Sequence, residues 1–324
     1  MHLPLRALLV LAAVGLALPS TGWAQGKIQR VGVLTFDKAQ DADWFLHFFR
    51  ESLADRGWVE GKNLAFEYRN SNNDPSKFAA PAAELVQLKV DILLPVGPPA
   101  VRAAFGATHE IPIVAHDLET DPVAAGYARA YNRPGGNLTG LFLDSPELAA
   151  KWLELLKVAV PGLSHAVVLW DTTSGPVHLD AVKKMAPSFS IKLQVVEIHT
   201  PTDIDKARSQ FRKRPQALIV LPSPMMYFES ARLAALAKRL RLPAMSMFRP
   251  FVEAGGMFAY GPDILVTWER MAVLVDKVLN GTKPGDIPIE RPVKFEFLVN
   301  RKAAKAIGLT VPDILLTRAD EVIR

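Results

Sequence analysis

The chain has no cysteine in its 324 residues. That absence excludes disulfides, thiolate zinc sites, iron–sulfur clusters, a cysteine nucleophile and lipid attachment through an N-terminal cysteine. Aromatic residues make up only 8%, and charge is nearly balanced, with 38 Lys and Arg against 33 Asp and Glu. A nucleic-acid partner calls for a strong basic excess gathered on one face, so none is expected. The basic cluster Lys206, Arg208, Arg212, Lys213 and Arg214 reads as a solvated helix face. The G-x-S-x-G elbow, the H-E-x-x-H helix, the G-x-G-x-x-G turn and the Walker loop are missing. The histidines show no metal-ligand spacing. No catalytic residues, no metal site and no cofactor are expected.

Long hydrophobic runs are also missing. The apolar run at 7–18 follows Arg6 and precedes Pro19 and the small-residue site Gly22-Trp23-Ala24. It is about 12 residues long where a spanning helix needs roughly 20, so residues 1–24 read as a cleavable secretory signal peptide. Loss of Arg6 leaves the mature chain at 37 − 33 = +4. Without cysteine for a lipid anchor, the exported protein is expected to be free in solution.

What remains is ordinary globular composition, 49% hydrophobic and 22% charged, at a length that predicts two domains with cores of their own. Short β-branched runs alternate with longer amphipathic ones. Strands are predicted at 28–34, 64–68, 91–95 and 112–115, with helices at 43–56, 77–88 and 98–107 between them. Right-handed crossovers turn this βαβαβαβ pattern into a parallel sheet with helices on both faces. The loop Asn132-Arg133-Pro134-Gly135-Gly136-Asn137 reads as the approach to a hinge. The alternation then restarts, with helices at 146–159, 177–185, 203–213 and 227–240 and strands at 165–170, 192–197, 217–221 and 244–247. A tail with a long helix at 263–279, a strand at 293–299 and a terminal helix is too short for a third domain. The expected fold is α/β, two doubly wound parallel-sheet lobes joined by a three-strand hinge with a ligand cleft between them. The N-terminal lobe is expected to take 27–142 plus 263–288, and the C-terminal lobe 143–262 plus 289–324.

Several runs carry a family likeness. They include Gly57-Trp58-Val59-Glu60-Gly61-Lys62-Asn63, Ala83-Glu84-Leu85-Val86, Ile111-Pro112-Ile113-Val114, Asp121-Pro122-Val123 and Arg133-Pro134-Gly135-Gly136-Asn137-Leu138-Thr139-Gly140. Trp152-Leu153-Glu154-Leu155-Leu156-Lys157, Val160-Pro161-Gly162-Leu163-Ser164, Phe251-Val252-Glu253-Ala254-Gly255-Gly256, Tyr260-Gly261-Pro262 and Ala319-Asp320-Glu321-Val322-Ile323 continue it. In this order and spacing the chain resembles the ABC-transporter substrate-binding proteins of the tryptophan/tyrosine-binding type, with the type I periplasmic binding protein fold. The resemblance implies a monomeric periplasmic receptor that closes on a small molecule and delivers it to an inner-membrane permease and ATPase. The implied ligand is an aromatic amino acid, while Pro98 and the cleft aromatics also allow a related aromatic or branched carboxylate without an amine.

Open parallel sheets bind ligands beyond the carboxyl ends of their strands, which locates the candidate contacts. In the first lobe these are Thr35, Phe36, Gly97, Pro98, Pro99, His116, Asp117 and Asp121. In the second they are Asp171, Thr172, Ser223, Phe248, Arg249 and Tyr260. Gly97 either opens a helix whose N–H groups hold a carboxylate or is a plain strand-helix turn. The family often has Thr where Pro98 stands, so a hydroxyl is lost here. Asp121 either pairs with a ligand amine or caps the turn at Pro122. Thr172 and Ser223 either bind ligand or cap their own helices. Phe36, Phe248 and Tyr260 are either an aromatic clamp or core. Arg249 either pairs with a carboxylate or sits exposed at the rim, and His116 reads first as a hydrogen-bonded structural histidine. Two rival functions remain: a ligand sensor for a membrane kinase, and an exported hydrolase resting on the scattered acids Asp117, Glu119 and Asp121.

Overall fold

The computed structural model describes residues 27–36, 43–143 and 146–324; the predicted signal segment lies outside them. The first sheet comprises β1 (Gln29–Thr35), β2 (Leu64–Asn70), β3 (Ile92–Pro95), β4 (Ile113–Asp117) and β5 (Leu138–Phe142), in the order β2-β1-β3-β4-β5 and parallel throughout. Helices α1 (Asp43–Ala54), α2 (Ala79–Gln87) and α3 (Pro98–Ala107) connect these strands. A parallel sheet covered on both faces has apolar residues at successive positions, and β1 shows it. Val31 and Val33 are buried in one core, Leu34 in the other. Gly32 sits between them because α2 packs close; a Cβ there would lie 3.1 Å from the Leu85 side chain.

The chain then enters the second lobe through α4 (Pro146–Ala159), which packs on the strands of a second, seven-stranded sheet. This sheet comprises β6 (His165–Asp171), β7 (Lys192–Ile198), β8 (Ala217–Val220), β9 (Ala244–Ser246), β10 (Phe258–Pro262), β11 (Phe295–Asn300) and β12 (Glu321–Ile323), in the order β12-β11-β10-β9-β8-β6-β7. Its helices are α5 (Val177–Met185), α6 (Pro201–Lys206), α7 (Pro224–Phe228), α8 (Ser230–Leu240) and α9 (Arg249–Glu253). After β10 the helix α10 (Ile264–Leu279) returns to the first lobe and packs on α1, β3, β4 and β5. Glu290 then bridges to Leu141 beside β5, and the chain crosses back into β11. The segments connecting the lobes number three.

Several expected elements change. β11 runs antiparallel to β10 because it enters from the opposite lobe. The predicted terminal helix is two short helices, α11 (Arg301–Ala306) and α12 (Asp313–Arg318), followed by β12. Gly308 at φ +79° and Pro312 divide it, and the β-branched Val322 and Ile323 pair with β11. The helix predicted at 203–213 starts earlier, at a capping box between Thr200 and Asp203, and tightens into a 3-10 turn after Lys206. The helix predicted from 227 starts at Pro224 and divides at Glu229 into α7 and α8. Leu138–Phe142, which follows the predicted hinge loop, is a fifth strand of the first sheet.

Candidate functional site

The carboxyl ends of the two sheets face one another. At the end of β4 the burial of the strand on both faces carries over to the residues beyond it, so His116, Asp117, Leu118 and Glu119 are all buried. The His116 ring stacks on Trp268 of α10 at 4.7 Å and 12°, and its Nε2 lies 3.0 Å from Thr267 Oγ1. The Thr267 hydroxyl proton goes to the Ile264 carbonyl at 2.7 Å, which leaves His116 Nε2–H as the donor between them. Burial holds this imidazole neutral, pushing its pKa down to about 4.

Asp117 Oδ1 accepts from the Glu119 amide at 3.0 Å. Burial pushes the Asp117 carboxyl up to about 6, against the opposing pull of hydrogen bonds from Glu119 and Thr120 and the charge of Arg102. Glu119 is held well above the usual carboxylate range by burial first and then by the negative Asp117. Both shifts follow from taking carboxyls out of water beside like charge.

Gly97 joins β3 to α3 at φ +84°, a conformation that favours glycine. Its N–H donates to the His116 carbonyl at 2.8 Å. A Cβ at Gly97 would lie 2.3 Å from Pro224 Cγ, so the missing side chain is what lets the second lobe close here. Pro98 and Pro99 occupy the first two positions of α3 and carry no N–H. The helix N-terminus is therefore stripped of two of the donors an anion would use.

From the second lobe, α7 brings Tyr227 and Phe228 to the cleft because Ser223 caps it, accepting from the Met226 amide at 3.1 Å, and Pro224 starts it. Phe248 meets Tyr227 edge-on at 5.1 Å, and Phe228 stacks on Phe36 of the first lobe at 6.1 Å. Burial pushes the Tyr227 hydroxyl well above the usual tyrosine range. Together Gly97, His116, Glu119 and Trp268 on one side and Pro224, Tyr227, Phe228 and Phe248 on the other enclose a cavity of about 70 Å³. A groove of about 650 Å³ shares Tyr227, Phe228 and Ile264 with it and runs out past Phe48 and Arg249. A second groove, of about 730 Å³, lies between Arg102 and His199. The lobes are shut on each other. Arg102 donates to the Thr173 carbonyl at 3.2 Å, and His178 Nε2 donates to the Leu118 carbonyl at 2.8 Å.

Of the residues expected at the cleft, Gly97, His116 and Phe248 line this cavity, with Pro98 and Asp117 directly behind it in sequence. Pro99 lines the second groove. Phe36 supports Phe228. Thr35 is buried at the end of β1, where its carbonyl accepts from Ser71. Asp171 caps its own turn through Thr173 at 2.9 Å, and Thr172 pairs with His199 at 3.0 Å. Ser223 is a helix cap. Three residues are engaged elsewhere. Asp121 caps the turn at Pro122, accepting from Val123 and Ala124 at 2.9 and 3.1 Å. Arg249 is held by Glu296 and Glu321. Tyr260 stacks on Phe295 of β11 at 6.1 Å and does not line the cavity that Phe248 lines, so the expected three-ring clamp does not assemble. Tyr227, Phe228 and Trp268 take its place. Their signal was weak, because two sit within a helix rather than in a strand-end loop and the third lies on the long returning helix.

Two doubly wound lobes, three connections between them and a shut aromatic cavity define a bilobed solute receptor of the type I periplasmic binding protein fold. The chain belongs to the ABC transporter substrate binding protein family, whose profile matches residues 30–323. It is similar to the tyrosine-binding protein of Clostridioides difficile strain R20291, 25% identical over 304 residues that cover 91% of this chain and 86% of that one. A conserved domain protein from Vibrio cholerae has the same fold at a TM-score of 0.84, with 26% identity, covering 91% of this chain and 100% of the other. An ABC domain from Streptococcus pneumonia in complex with L-Trp superposes at a TM-score of 0.83, with 22% identity, covering 91% and 99%. The family is one of solute-binding rather than catalytic proteins. No helix among the described residues is long and apolar enough to cross a membrane.

Proposed function

We propose that this protein captures an aromatic amino acid in the periplasm, after removal of residues 1–24, and presents it as a monomer to an ABC permease and its ATPase. The observation that carries this reading is the composition of the wall: four aromatic rings, Tyr227, Phe228, Phe248 and Trp268, line the cavity beside the buried acid Glu119, and two of them, Tyr227 and Phe228, continue into the adjoining groove of about 650 Å³, which has the room for the rest of such a ligand. Aromatic walls favour a planar apolar group by area burial and ring contact, and a buried acid favours a ligand amine. The relative that is a tyrosine-binding protein and the solved L-Trp complex support the same ligand class. A carboxylate without an amine fits less well, because Pro98 and Pro99 remove backbone donors and Arg249 is taken by its own acids.

In this reading the lobes are 27–142 plus 263–288 and 143–262 plus 289–324, and they part and close about the three connections. Closure is driven by the ligand binding the shut form better than the open one. The test is thermal unfolding of the mature chain against aromatic amino acids, aliphatic amino acids, aromatic acids and sugars. A ligand at 100 times its dissociation constant adds about 2.7 kcal/mol, a rise of several degrees in midpoint. The expected result is a rise with tyrosine, tryptophan or phenylalanine; a rise with sugars alone would overturn the reading.

A further inference from the structure

The second lobe carries its charge unevenly. Residues 183–241 hold 12 Lys and Arg against 4 Asp and Glu, a surplus of eight where the whole chain has five. The four acids stand toward the cleft: Glu197 near the end of β7, Asp203 and Asp205 on α6, and Glu229 at the start of α8. Arg232 pairs with two of them, Asp205 and Glu229. The stretches 183–192, 206–216 and 238–243, which lead into β7, β8 and β9, contain no acid at all. Because β6, β7, β8 and β9 are parallel, these stretches enter the sheet at one end, the pole away from the cleft. Backbone hydrogen bonds hold the entries in a row, from Lys192 N–H to the Ser164 carbonyl at 2.8 Å, Gln216 to His165 at 3.0 Å and Leu218 to Pro243 at 2.9 Å.

On this pole Lys192, Arg212, Lys213, Arg214 and Arg241 are exposed, and none of the five makes a salt bridge among the described residues. Arg301 joins them, since β11 runs antiparallel to β10 and ends there. At a strand spacing of about 4.8 Å the row from β7 to β11 covers about 24 Å. Arg212, Lys213 and Arg214 are not on the helix face their sequence suggested; they fill the turn before β8. Basic residues in the last turn of a helix stabilise it through the macrodipole, and Lys184 and Arg239 serve α5 and α8 in this way. That role does not extend to the turn and strand residues. Nor is it general in this chain, because α1, α2 and α3 of the first lobe have no basic residue in their last turns. The matching end of the first lobe mixes signs, with Asp55, Glu60, Asp91 and Glu110 in the stretches that lead into β2, β3 and β4.

A broad surface of one sign attracts an anionic partner. Of the aromatic residues at this pole, Phe189 is half-buried and Phe211 buried, so nucleic-acid bases have no exposed ring to stack on. A bilayer asks for less: its anionic headgroups lie in a plane and are met by many shallow charge contacts. The chain has no cysteine for a lipid anchor and no described helix able to cross a membrane, while the receptor function proposed above brings it to a membrane permease. We propose that the strand-entry pole of the second lobe docks on anionic phospholipid headgroups and holds the receptor at the membrane by charge alone. The cleft lies beyond the opposite end of the same sheet, so the docked receptor keeps its cavity open to ligand. The surface is distinct from the aromatic cavity and does not depend on which ligand the cavity takes.

The experiment is co-sedimentation of the mature chain with phosphatidylcholine vesicles, with and without phosphatidylglycerol. Binding is expected only where phosphatidylglycerol is present, at about 0.1 M salt, and is expected to vanish at about 1 M, where the screening length falls from about 10 Å to about 3 Å. The triple variant Arg212→Glu, Lys213→Glu, Arg214→Glu is expected to bind these vesicles roughly 100-fold more weakly. Lys192→Glu with Arg241→Glu, on neighbouring strands, is expected to lose roughly tenfold or more and serves if the triple variant does not fold. Lys62→Glu, Lys89→Glu, Lys283→Glu makes the same change of net charge on the first lobe and is expected to stay within about threefold of wild type. Unfolding midpoints with and without L-tyrosine are measured for every variant, and the rise with tyrosine is expected to match that of the wild type. Vesicle binding without any tyrosine response would remove the receptor function and leave the docking surface standing. If the first-lobe variant loses as much as the triple variant, overall charge rather than the pole attracts the bilayer, and the docking surface is wrong. A wild-type chain that ignores phosphatidylglycerol vesicles overturns it too: retention of a DNA oligonucleotide at the same salt would make the partner a nucleic acid, and binding to neither would make the pole a solvated face.

Discussion

Ser223 and Gly97 stand at corresponding points of the two lobes, each between a strand and a proline-started helix, and they do different work. Ser223 closes on its own helix, giving its hydroxyl oxygen to the Met226 amide at 3.1 Å. Gly97 caps nothing with a side chain; its bare Cα is the seat that Pro224 occupies from across the cleft. The same local device thus stabilises one lobe internally and, in the other, sets how closely the lobes approach. The walls they position differ in kind as well. The first lobe presents buried ionisable groups, His116, Asp117 and Glu119, while the second presents the rings of Tyr227, Phe228 and Phe248. The two kinds of wall meet only where the lobes are in contact, around the cavity.

The sharpest way to break the comparison is to exchange what the two caps lack. Gly97→Ala places a methyl group where Pro224 sits and strains a residue at φ +84°, so ligand affinity is expected to fall by roughly 100-fold or more through lost closure. Ser223→Ala is expected to lower stability by about 1 kcal/mol with a much smaller effect on affinity. Calorimetric titration and thermal unfolding of both variants test the contrast. Equal affinity losses would show that the two positions do the same work.

A second, intermediate effect separates the two ionisable neighbours in the first lobe. His116 stays neutral down to about 4 when folded, against an ordinary value of 6.5. The unfolded chain therefore takes up the proton first, and stability is lost as pH falls from about 6.5 towards about 4, by up to roughly 3 kcal/mol. Asp117 has the opposite sign: raised from 3.8 to about 6, it burdens the fold above that window and relieves it as pH falls. Asp117→Asn removes the relief, so the variant should lose stability on acidification more steeply than the wild type. Unfolding midpoints between about pH 7 and 4 check this, and a flatter profile in the variant would contradict the assignment.

The smallest effect belongs to Asp121. Its carboxylate caps a turn, so Asp121→Ala is expected to cost about 1 kcal/mol or less in stability and to leave affinity for an aromatic amino acid within about twofold, a shift of well under 1 kcal/mol. A large loss of affinity would move the ammonium contact from the β4 turn to Asp121.

The fold was legible because period and punctuation agree over long stretches. Helix α4 emerges from its apolar spacing at its observed bounds, and the doubly wound alternation follows from β-branched strands separated by amphipathic runs. Where signals were short, the reading gave way: β12 is three residues of pairing against β11, and α7 and α8 divide at Glu229 without a glycine or proline there. The site was legible in position more than in membership. The rule that ligands lie beyond strand ends pointed to Gly97, His116 and Phe248, which line the cavity, because each immediately adjoins or ends a strand turn. It also drew in Arg249 and Tyr260, since spacing along the chain does not tell a side chain that faces the cleft from one that faces an acid ladder or a neighbouring strand.

The sequence by itself determined the class of the fold: alternating strand and helix periods specify two α/β lobes whose mostly parallel sheets are covered by helices. Those are properties of composition and of neighbours a few residues apart. The tertiary structure alone decided that Pro224 seats on Gly97, that Arg249 is spent on Glu296 and Glu321, and that Glu119 lies buried beside Asp117 at an aromatic wall. Each of these depends on groups up to 127 positions apart, as with Gly97 and Pro224. Burial, which decides whether a carboxyl is a solvated surface group or one held well above its usual range, exists only once the lobes have come together.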